Sequence, residues 1–373
     1  MIEARQDTLI AKYKNAIIWY FSGTGNARFA ANQIQANFQE KGLLTKVYNI
    51  ADKESILAST GKDTMVGFCY PTHGFNAPPI VVKFVRNFPK GNSDLFLLNT
   101  RAGLKLSKLH IAGLGGIALW LPALLLWIKG YRPIGFRPLD MPSNWISLHP
   151  GLRKQAVTSI RKTCTQTLAN FSNRIMQGKP VLNGLLWTPL DLLVLPISIL
   201  YYWYCRFALA KTFYANYKCN NCNLCIDDCP VQAIIEKNGR AFWTAKCESC
   251  MHCMNVCPHR AIDIAHVYLF LLWWVAFSFV PYLLIKLLAE TGLASVAFTN
   301  LFTISTVDII IMIASLGVVY IGYALLHQLL GVKIINKIIT FTSLTHYKWW
   351  RRYYLKLPKT VKKEFNASGL DPG

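Results

Sequence analysis

Eight of the eleven cysteines in the 373-residue chain fall into two blocks of identical spacing. Cys219-x-x-Cys222-x-x-Cys225-x-x-x-Cys229-Pro230 recurs as Cys247-x-x-Cys250-x-x-Cys253-x-x-x-Cys257-Pro258. Three cysteines spaced in this way wrap a tight loop around one iron–sulfur cubane, bringing three thiolates to three irons while backbone N–H groups point at the sulfides. The fourth cysteine, followed by proline, starts a helix leading away and ligates the other cubane. The spacing therefore predicts two [4Fe–4S] clusters. The first takes Cys219, Cys222, Cys225 and Cys257; the second takes Cys247, Cys250, Cys253 and Cys229. A pair of zinc sites would require neither the third cysteine of each run nor the C-x-x-x-C-P ending. Cys69, Cys164 and Cys205 read as small buried apolar residues. Regular metal-ligand spacing in place of scattered cysteines points to a reducing compartment.

A second chemical motif lies near the N-terminus. A short apolar run, Ala16–Phe21, leads into Ser22-Gly23-Thr24-Gly25-Asn26, and Ala27–Glu40 then reads as a helix. The Ser22 and Thr24 hydroxyls, with N–H groups at the helix start, can wrap a terminal phosphate without a lysine. A dinucleotide fingerprint would need glycine where Arg28 stands, and a Walker loop would need Gly-Lys-Ser or Gly-Lys-Thr.

These motifs need a scaffold. Further strands are predicted at Thr45–Ile50, Thr64–Tyr70, Asp94–Thr100 and Arg132–Met141, with intervals long enough for helices, so the N-terminal part should be a parallel α/β sheet. The cysteine segment resembles the two-cluster bacterial ferredoxins, which Ala233-Ile234 and Ala261-Ile262 also match. The N-terminal part resembles flavodoxin-like domains, in particular those fused to such a ferredoxin. The likeness rests on Phe21-Ser22-Gly23-Thr24-Gly25-Asn26, Tyr70-Pro71-Thr72, Pro78-Pro79 and Leu98-Asn99-Thr100. It implies a doubly wound sheet of strand order 2-1-3-4-5 that binds FMN where the loops after strands 1, 3 and 4 converge. Carried over by position, Ser22, Gly23, Thr24, Gly25 and Asn26 would hold the phosphate. Thr72, His73, Gly74, Phe75 and Asn76 would flank the isoalloxazine on one side, and Asn99, Thr100, Arg101, Ala102 and Gly103 on the other. The chain departs from the pattern at Ala27, where many members have a third hydroxyl, and at Arg101, where a ring-flanking aromatic is expected. A flavin-free domain used as a docking scaffold is the alternative, with His73 then an ordinary loop histidine.

Composition adds the membrane. Apolar residues make up 53% of the chain and charged residues 16%, above the apolar content of ordinary soluble domains. Forty Lys and Arg against 18 Asp and Glu give a net charge of +22. Because most Trp, Tyr and Phe lie in long uncharged runs, that charge fits an anionic lipid surface and not nucleic acid. Val267–Ile285, about 28 Å long as a helix, and Ile309–Leu326 read as transmembrane spans. The basic residues of the tail, Lys333, Lys337, Lys348, Arg351, Arg352, Lys356, Lys359, Lys362 and Lys363, place it in the cytoplasm by the positive-inside rule. Met1–Tyr13 is polar and carries no secretory signal. The runs Ile111–Ile128 and Gly184–Leu209 cannot be single crossings, since both cofactor sites must share one side; a re-entrant or surface-lying helix is allowed. Gly151–Pro180, with six basic residues and no acid, reads as a solvated basic helix or a lipid-headgroup contact.

The resulting division is a flavodoxin-like domain at 14–180, an apolar membrane-associated linker at 181–211, a ferredoxin domain at 212–265, a transmembrane hairpin at 266–332 and a basic cytoplasmic tail at 333–373. The fold class is thus an α/β flavodoxin-like doubly wound sheet, an α+β two-cluster ferredoxin domain and a C-terminal transmembrane helical hairpin. The function expected is electron transfer at the inner membrane between two [4Fe–4S] clusters and FMN, with an unknown redox partner protein. A flavin-dependent quinone reductase and a non-catalytic redox scaffold or sensor are the alternatives.

Overall fold

Short β-branched and aromatic runs alternating with apolar-striped segments bury best as a parallel sheet covered on both faces. The computed structural model, which describes residues 12–52, 60–106, 109–290 and 306–352, has this arrangement. Strands β1 (Asn15–Tyr20), β2 (Leu44–Asn49), β3 (Thr64–Pro71), β4 (Asp94–Ala102) and β7 (Arg132–Met141) form one parallel sheet in the order β2-β1-β3-β4-β7. Between β4 and β7 lies a small antiparallel hairpin of β5 (Leu104–Leu106) and β6 (Leu109–Ile111). Helices α1 (Asn26–Gln39) and α4 (Lys154–Met176) cover one face, where Phe38, Leu168 and Phe171 meet Ile18 and Phe96. Helices α2 (Pro79–Asn87) and α3 (Trp120–Ile128) cover the other, around Trp19, Phe68 and Phe88. The predicted order 2-1-3-4-5 is therefore found, and the basic stretch 151–180 is largely α4, packed on α1 with Arg153, Lys154, Lys162, Arg174 and Lys179 exposed and Arg161 lying over the Phe29 ring.

Asp94 fastens the start of the interior strand β4. Burial disfavours its charge, but hydrogen bonds from Arg132, Lys12 and Tyr13 outweigh that cost and hold the carboxyl down at about 2. A carboxyl depressed on folding contributes stability above its unfolded pKa and loses it as pH falls toward the folded value. Asp94→Asn should cost about 1–2 kcal/mol at neutral pH, less than the full shift because Lys12 and Arg132 are partly in water. The difference from wild type should vanish between about pH 4 and pH 2, as read from urea melts at each pH.

Residues 183–212 leave the sheet as a broken apolar helix. Asn183–Leu193, which includes α5 (Thr188–Leu193), meets Leu195–Thr212 at 77°. The second half comprises α6 (Leu195–Leu200), a π-helical turn Tyr201–Cys205 and α7 (Arg206–Thr212). The two halves together expose Leu186, Leu190, Leu193, Ile197 and Trp203. This shape is a bent apolar element, a broken span or a re-entrant loop, rather than a straight helix.

The next unit is small. β8 (Phe213–Ala215) pairs antiparallel with β11 (Ile262–Ile264), closing the two ends of the cysteine segment against each other. Between them come α8 (Leu224–Asp227), the hairpin of β9 (Ile234–Lys237) and β10 (Arg240–Trp243), and α9 (His252–Val256). Asn238 and Gly239, both at positive φ, make the tight turn of that hairpin.

Two helices long and apolar enough to cross a membrane follow, His266–Glu290 and Val307–Leu329. The first consists of α10 (His266–Trp274), a π-helical turn and α11 (Val280–Glu290); the second lies within α12 (Thr306–Leu329). They cross closely because Gly322 has no side chain: a Cβ there would lie 2.3 Å from Leu272. Tyr268 Oη also donates to Gly322 O at 2.7 Å. The connecting residues 291–305 and the tail residues 353–373, which include Lys356, Lys359, Lys362 and Lys363, lie outside the described residues.

The segment after the hairpin, expected from the sequence as a basic tail from residue 333, begins as folded structure. As far as Arg352 it folds back on the ferredoxin unit through α13 (Lys333–Phe341) and two short turns. Lys333 and Lys337 face outward while Ile335 and Ile339 pack against Tyr214, Leu326 and Leu330. The charge count concealed an amphipathic period.

Candidate cluster cages and the adjoining crevice

The two cysteine blocks take up matching backbone shapes. In the first, Asn221, Asn223 and Gln232 have positive φ; in the second, Ser249, Met251 and Arg260 occupy the corresponding positions, also with positive φ. Left-handed residues at alternating sites turn successive N–H groups inward, the geometry of an anion-binding nest. Cys219, Cys222, Cys225 and Cys257 surround one hollow. Cys229, Cys247, Cys250 and Cys253 surround another. Backbone N–H groups of Ala233, Ser249 and Ala261 donate to the sulfurs of Cys229, Cys247 and Cys257 at 3.2, 3.4 and 3.2 Å. Burial, with repulsion from neighbouring thiols, pushes Cys225 up to about 12. A thiolate there therefore needs cationic charge beside it.

Among the described residues no three His, Cys, Asp or Glu side chains converge on a single ion. The donors instead stand apart around a centre, as a multi-iron group requires. Each hollow is only about 20 Å3, so the fit rests on the donors around it and not on free volume. Donor set, N–H···S bonds and nest geometry all fit a cubane.

The cages differ in exposure. In the first, Cys222 is exposed and the other three are partly so; in the second, Cys229, Cys247 and Cys253 are buried and Cys250 is covered by the Ser22–Asn26 loop. The contact is close. A Cβ on Gly23 would lie 2.3 Å from Cys250 O. His252 Nδ1 hydrogen-bonds Gly23 O at 2.6 Å, and the Ile80 N–H at the start of α2 donates to Glu248 Oε1 at 2.8 Å. The second cage thus docks on the C-terminal edge of the parallel sheet.

That edge is where the flavin residues were expected. Ser22, Gly23, Thr24, Asn26, Thr72, His73, Gly74, Thr100, Arg101 and Ala102 do meet around one crevice, with Ser249, Cys250 and Met251 as its far wall. Gly25, Phe75, Asn76, Asn99 and Gly103 are not among its lining residues. Gly25, at φ 92°, precedes α1, and its N–H is taken by Ser22 Oγ. Asn99 Nδ2 ties the two loops together through Thr72 Oγ1 at 2.8 Å. Arg101 is held by Asp140 at 2.9 Å and lies over the Trp187 ring at 5.3 Å, so it serves structure at that place.

The crevice measures about 110 Å3, whereas cofactor pockets run from roughly 300 Å3 upward. Tyr201, from the bent linker, fills the missing space. A Cβ on Gly74 would lie 2.0 Å from its ring, and Trp145 packs edge-on to it at 6.2 Å. The linker is itself pinned: Asp191 Oδ1 accepts from the Gly115 and Gly116 N–H groups, and Ser198 Oγ donates to Phe75 O. Unlike a cubane, FMN is held without covalent bonds and needs its full van der Waals volume, so the residues in this arrangement do not fit it. Tyr201, Trp145, Asp191, Glu248 and His252 were absent from the sequence expectation.

Comparison with known proteins agrees with the cages. The family described as the 4Fe-4S dicluster domain matches residues 218–262. No curated protein matches the chain. Two solved structures are similar over 43% of it: a flavodoxin from the domain Archaea, at 14% identity and TM-score 0.30, of which 98% is covered; and oxidised flavodoxin 1 from Bacillus cereus, at 16% identity and TM-score 0.29, of which 97% is covered. The chain thus joins a doubly wound parallel sheet of flavodoxin-like strand order to a segment, residues 218–262, that matches the 4Fe-4S dicluster domain, followed by two candidate membrane-spanning helices.

Proposed function

We propose that the protein is an integral membrane electron carrier that works through two [4Fe–4S] clusters and holds no resident flavin. Cys219, Cys222, Cys225 and Cys257 would ligate the outer cluster, and Cys229, Cys247, Cys250 and Cys253 the inner one. The clusters supply one-electron redox chemistry. The chain's own residues set where it happens: His252 and Glu248 fix the inner cage to the sheet edge, and Arg352 places a buried cation beside Cys257. The flavodoxin-like unit acts as the scaffold for that docking. The observation that carries this reading is the exchange of a flavin chamber for Tyr201 and the Ser249–Met251 loop. The basic residues around Lys333, Lys337 and Lys348 favour a cytoplasmic face for the clusters and an inner-membrane location.

Detergent-purified protein handled without oxygen should contain about eight irons and eight sulfides per chain, with flavin far below one per chain. Cys→Ser at any of the eight positions should reduce the iron content. Zinc in place of iron would refute the cluster assignment, and stoichiometric FMN would refute the scaffold role. The protein should also stay in the membrane through a carbonate wash; its release would rule out integral insertion.

A further inference from the structure

A cavity of about 530 Å3 lies away from the flavodoxin-like crevice, between the second candidate span and the β9–β10 hairpin. Its walls come from three elements with different relations to lipid. Leu316, Val319, Tyr320 and Tyr323 belong to α12; Phe207, Ala208 and Lys211 to α7 of the bent apolar linker; Lys237, Arg240 and Phe242 to the ferredoxin hairpin. The cavity thus sits where the hydrocarbon zone meets the soluble unit. Ala215, Arg240 and Ala241 line both this cavity and the hollow of the outer cage, so one layer of residues separates the two.

The lining is chemically selective. Its rings are apolar and aromatic, and its polar groups are mostly hydrogen-bond donors or cations, with no carboxylate among them. Phe242 is surrounded by Lys211 Nζ at 4.5 Å, Lys237 Nζ at 5.1 Å and the edge of the His327 ring at 4.9 Å. His327 is positioned by its Nε2 contact with Lys211 O at 3.1 Å, and Arg240 reaches His327 O at 3.3 Å. Such a site suits a flat ring with oxygen acceptors and an apolar tail, and favours the form of that ring carrying more negative charge. A phospholipid headgroup would use the cations, but it would leave unexplained the aromatic walls and the common wall with a redox centre.

We propose that this cavity binds a lipid-soluble quinone and is where electrons pass between the outer cluster and the membrane. The inference rests on the cluster function proposed above. The reaction is quinone + 2 e− + 2 H+ → quinol. Each of the two clusters supplies one electron, a soluble one-electron donor protein restores them, and water at the cytoplasmic mouth supplies the protons. The two C=O bonds become C–O–H and no other bond is broken.

The test measures binding first and turnover second, on full-length protein in detergent, using a short-tailed azido-quinone as photolabel. Labelling should map to α7, the β9–β10 hairpin and α12. Ala208→Trp, which fills the cavity, should weaken binding at least about tenfold while iron and sulfide content stay unchanged. Lys237→Gln, a milder change that does not depend on refolding the helix packing, should weaken it severalfold. Reoxidation of chemically reduced clusters by the same quinone should slow in parallel. Labelling elsewhere, or equal binding by wild type and Ala208→Trp, would overturn the proposal. So would displacement of the label by anionic phospholipid alongside unimpaired cluster reoxidation in the filled variant, which would make this a lipid site. Quinone binding to protein without iron would sink the cluster reading and leave the binding site standing.

Discussion

Replacing Arg352 by methionine should destabilise the ferredoxin unit by about 3–5 kcal/mol, one of the largest single-residue effects in the chain. Its guanidinium donates to Met254 O at 2.8 Å, to Ile262 O at 2.7 Å and to Asp263 Oδ1 at 3.0 Å, with both charged side chains almost wholly buried. Burial alone would raise the Asp263 carboxyl, but hydrogen bonding to His346 and the Arg352 charge, with further bonds from Asn216 and Thr345, hold it below its ordinary value. Removing the arginine strands that charge in the interior, whereas removing both partners does not. Arg352→Met with Asp263→Asn should therefore recover a large part of the loss, a coupling measurable in a double-mutant cycle of denaturant melts. A single-variant cost below about 1 kcal/mol would show that residues 333–352 are not the clamp described.

The second large effect is expected at Gly23. Valine there would drive its side chain into the Cys250 backbone, and neither loop can yield, since one begins α1 and the other wraps the inner cage. Overpacking of this kind costs about 1–3 kcal/mol. It should appear as separation of the two soluble units, raising the open population about ten- to a hundredfold. Air bleaching of the inner cluster should accelerate accordingly, while the outer cluster, whose loop does not touch the sheet edge, bleaches at its original rate. Equal acceleration of both would mean that Gly23 acts on the ferredoxin unit as a whole.

The residues that were legible in the sequence share a property: their geometry is local. Three cysteines of each cage sit at fixed spacings within one loop and the fourth comes from the repeat of the same block, and the five strands announce themselves through short β-branched runs, so the cages and the strand order could both be read directly. The crevice was legible only in half. Ser22, Thr24, Thr72 and Thr100 do converge, but what fills the space between them is set by Tyr201, which lies in an apolar run with no motif of its own. No local pattern says that this tyrosine will turn back onto Gly74, since that depends on the 77° break near Val194 and on Asp191 capping two distant amides. Arg352 was hidden differently, as one basic residue in a run of them, and only its contact with Asp263 across the fold separates it from the rest.

The unequal exposure of the two cages has a consequence for counting electrons. The outer cage has an open rim at Cys222 and shares a wall with the lipid-side cavity, so a visitor can reach it from water and a ring can reach it from the membrane. The inner cage is shut in behind the sheet edge, and an electron parked there leaves by the way it came. On the proposed function it is a waiting room with one seat. A donor that delivers electrons singly can call twice, and the molecule can hold the first until the second arrives, so that an acceptor needing a pair meets a protein already carrying both.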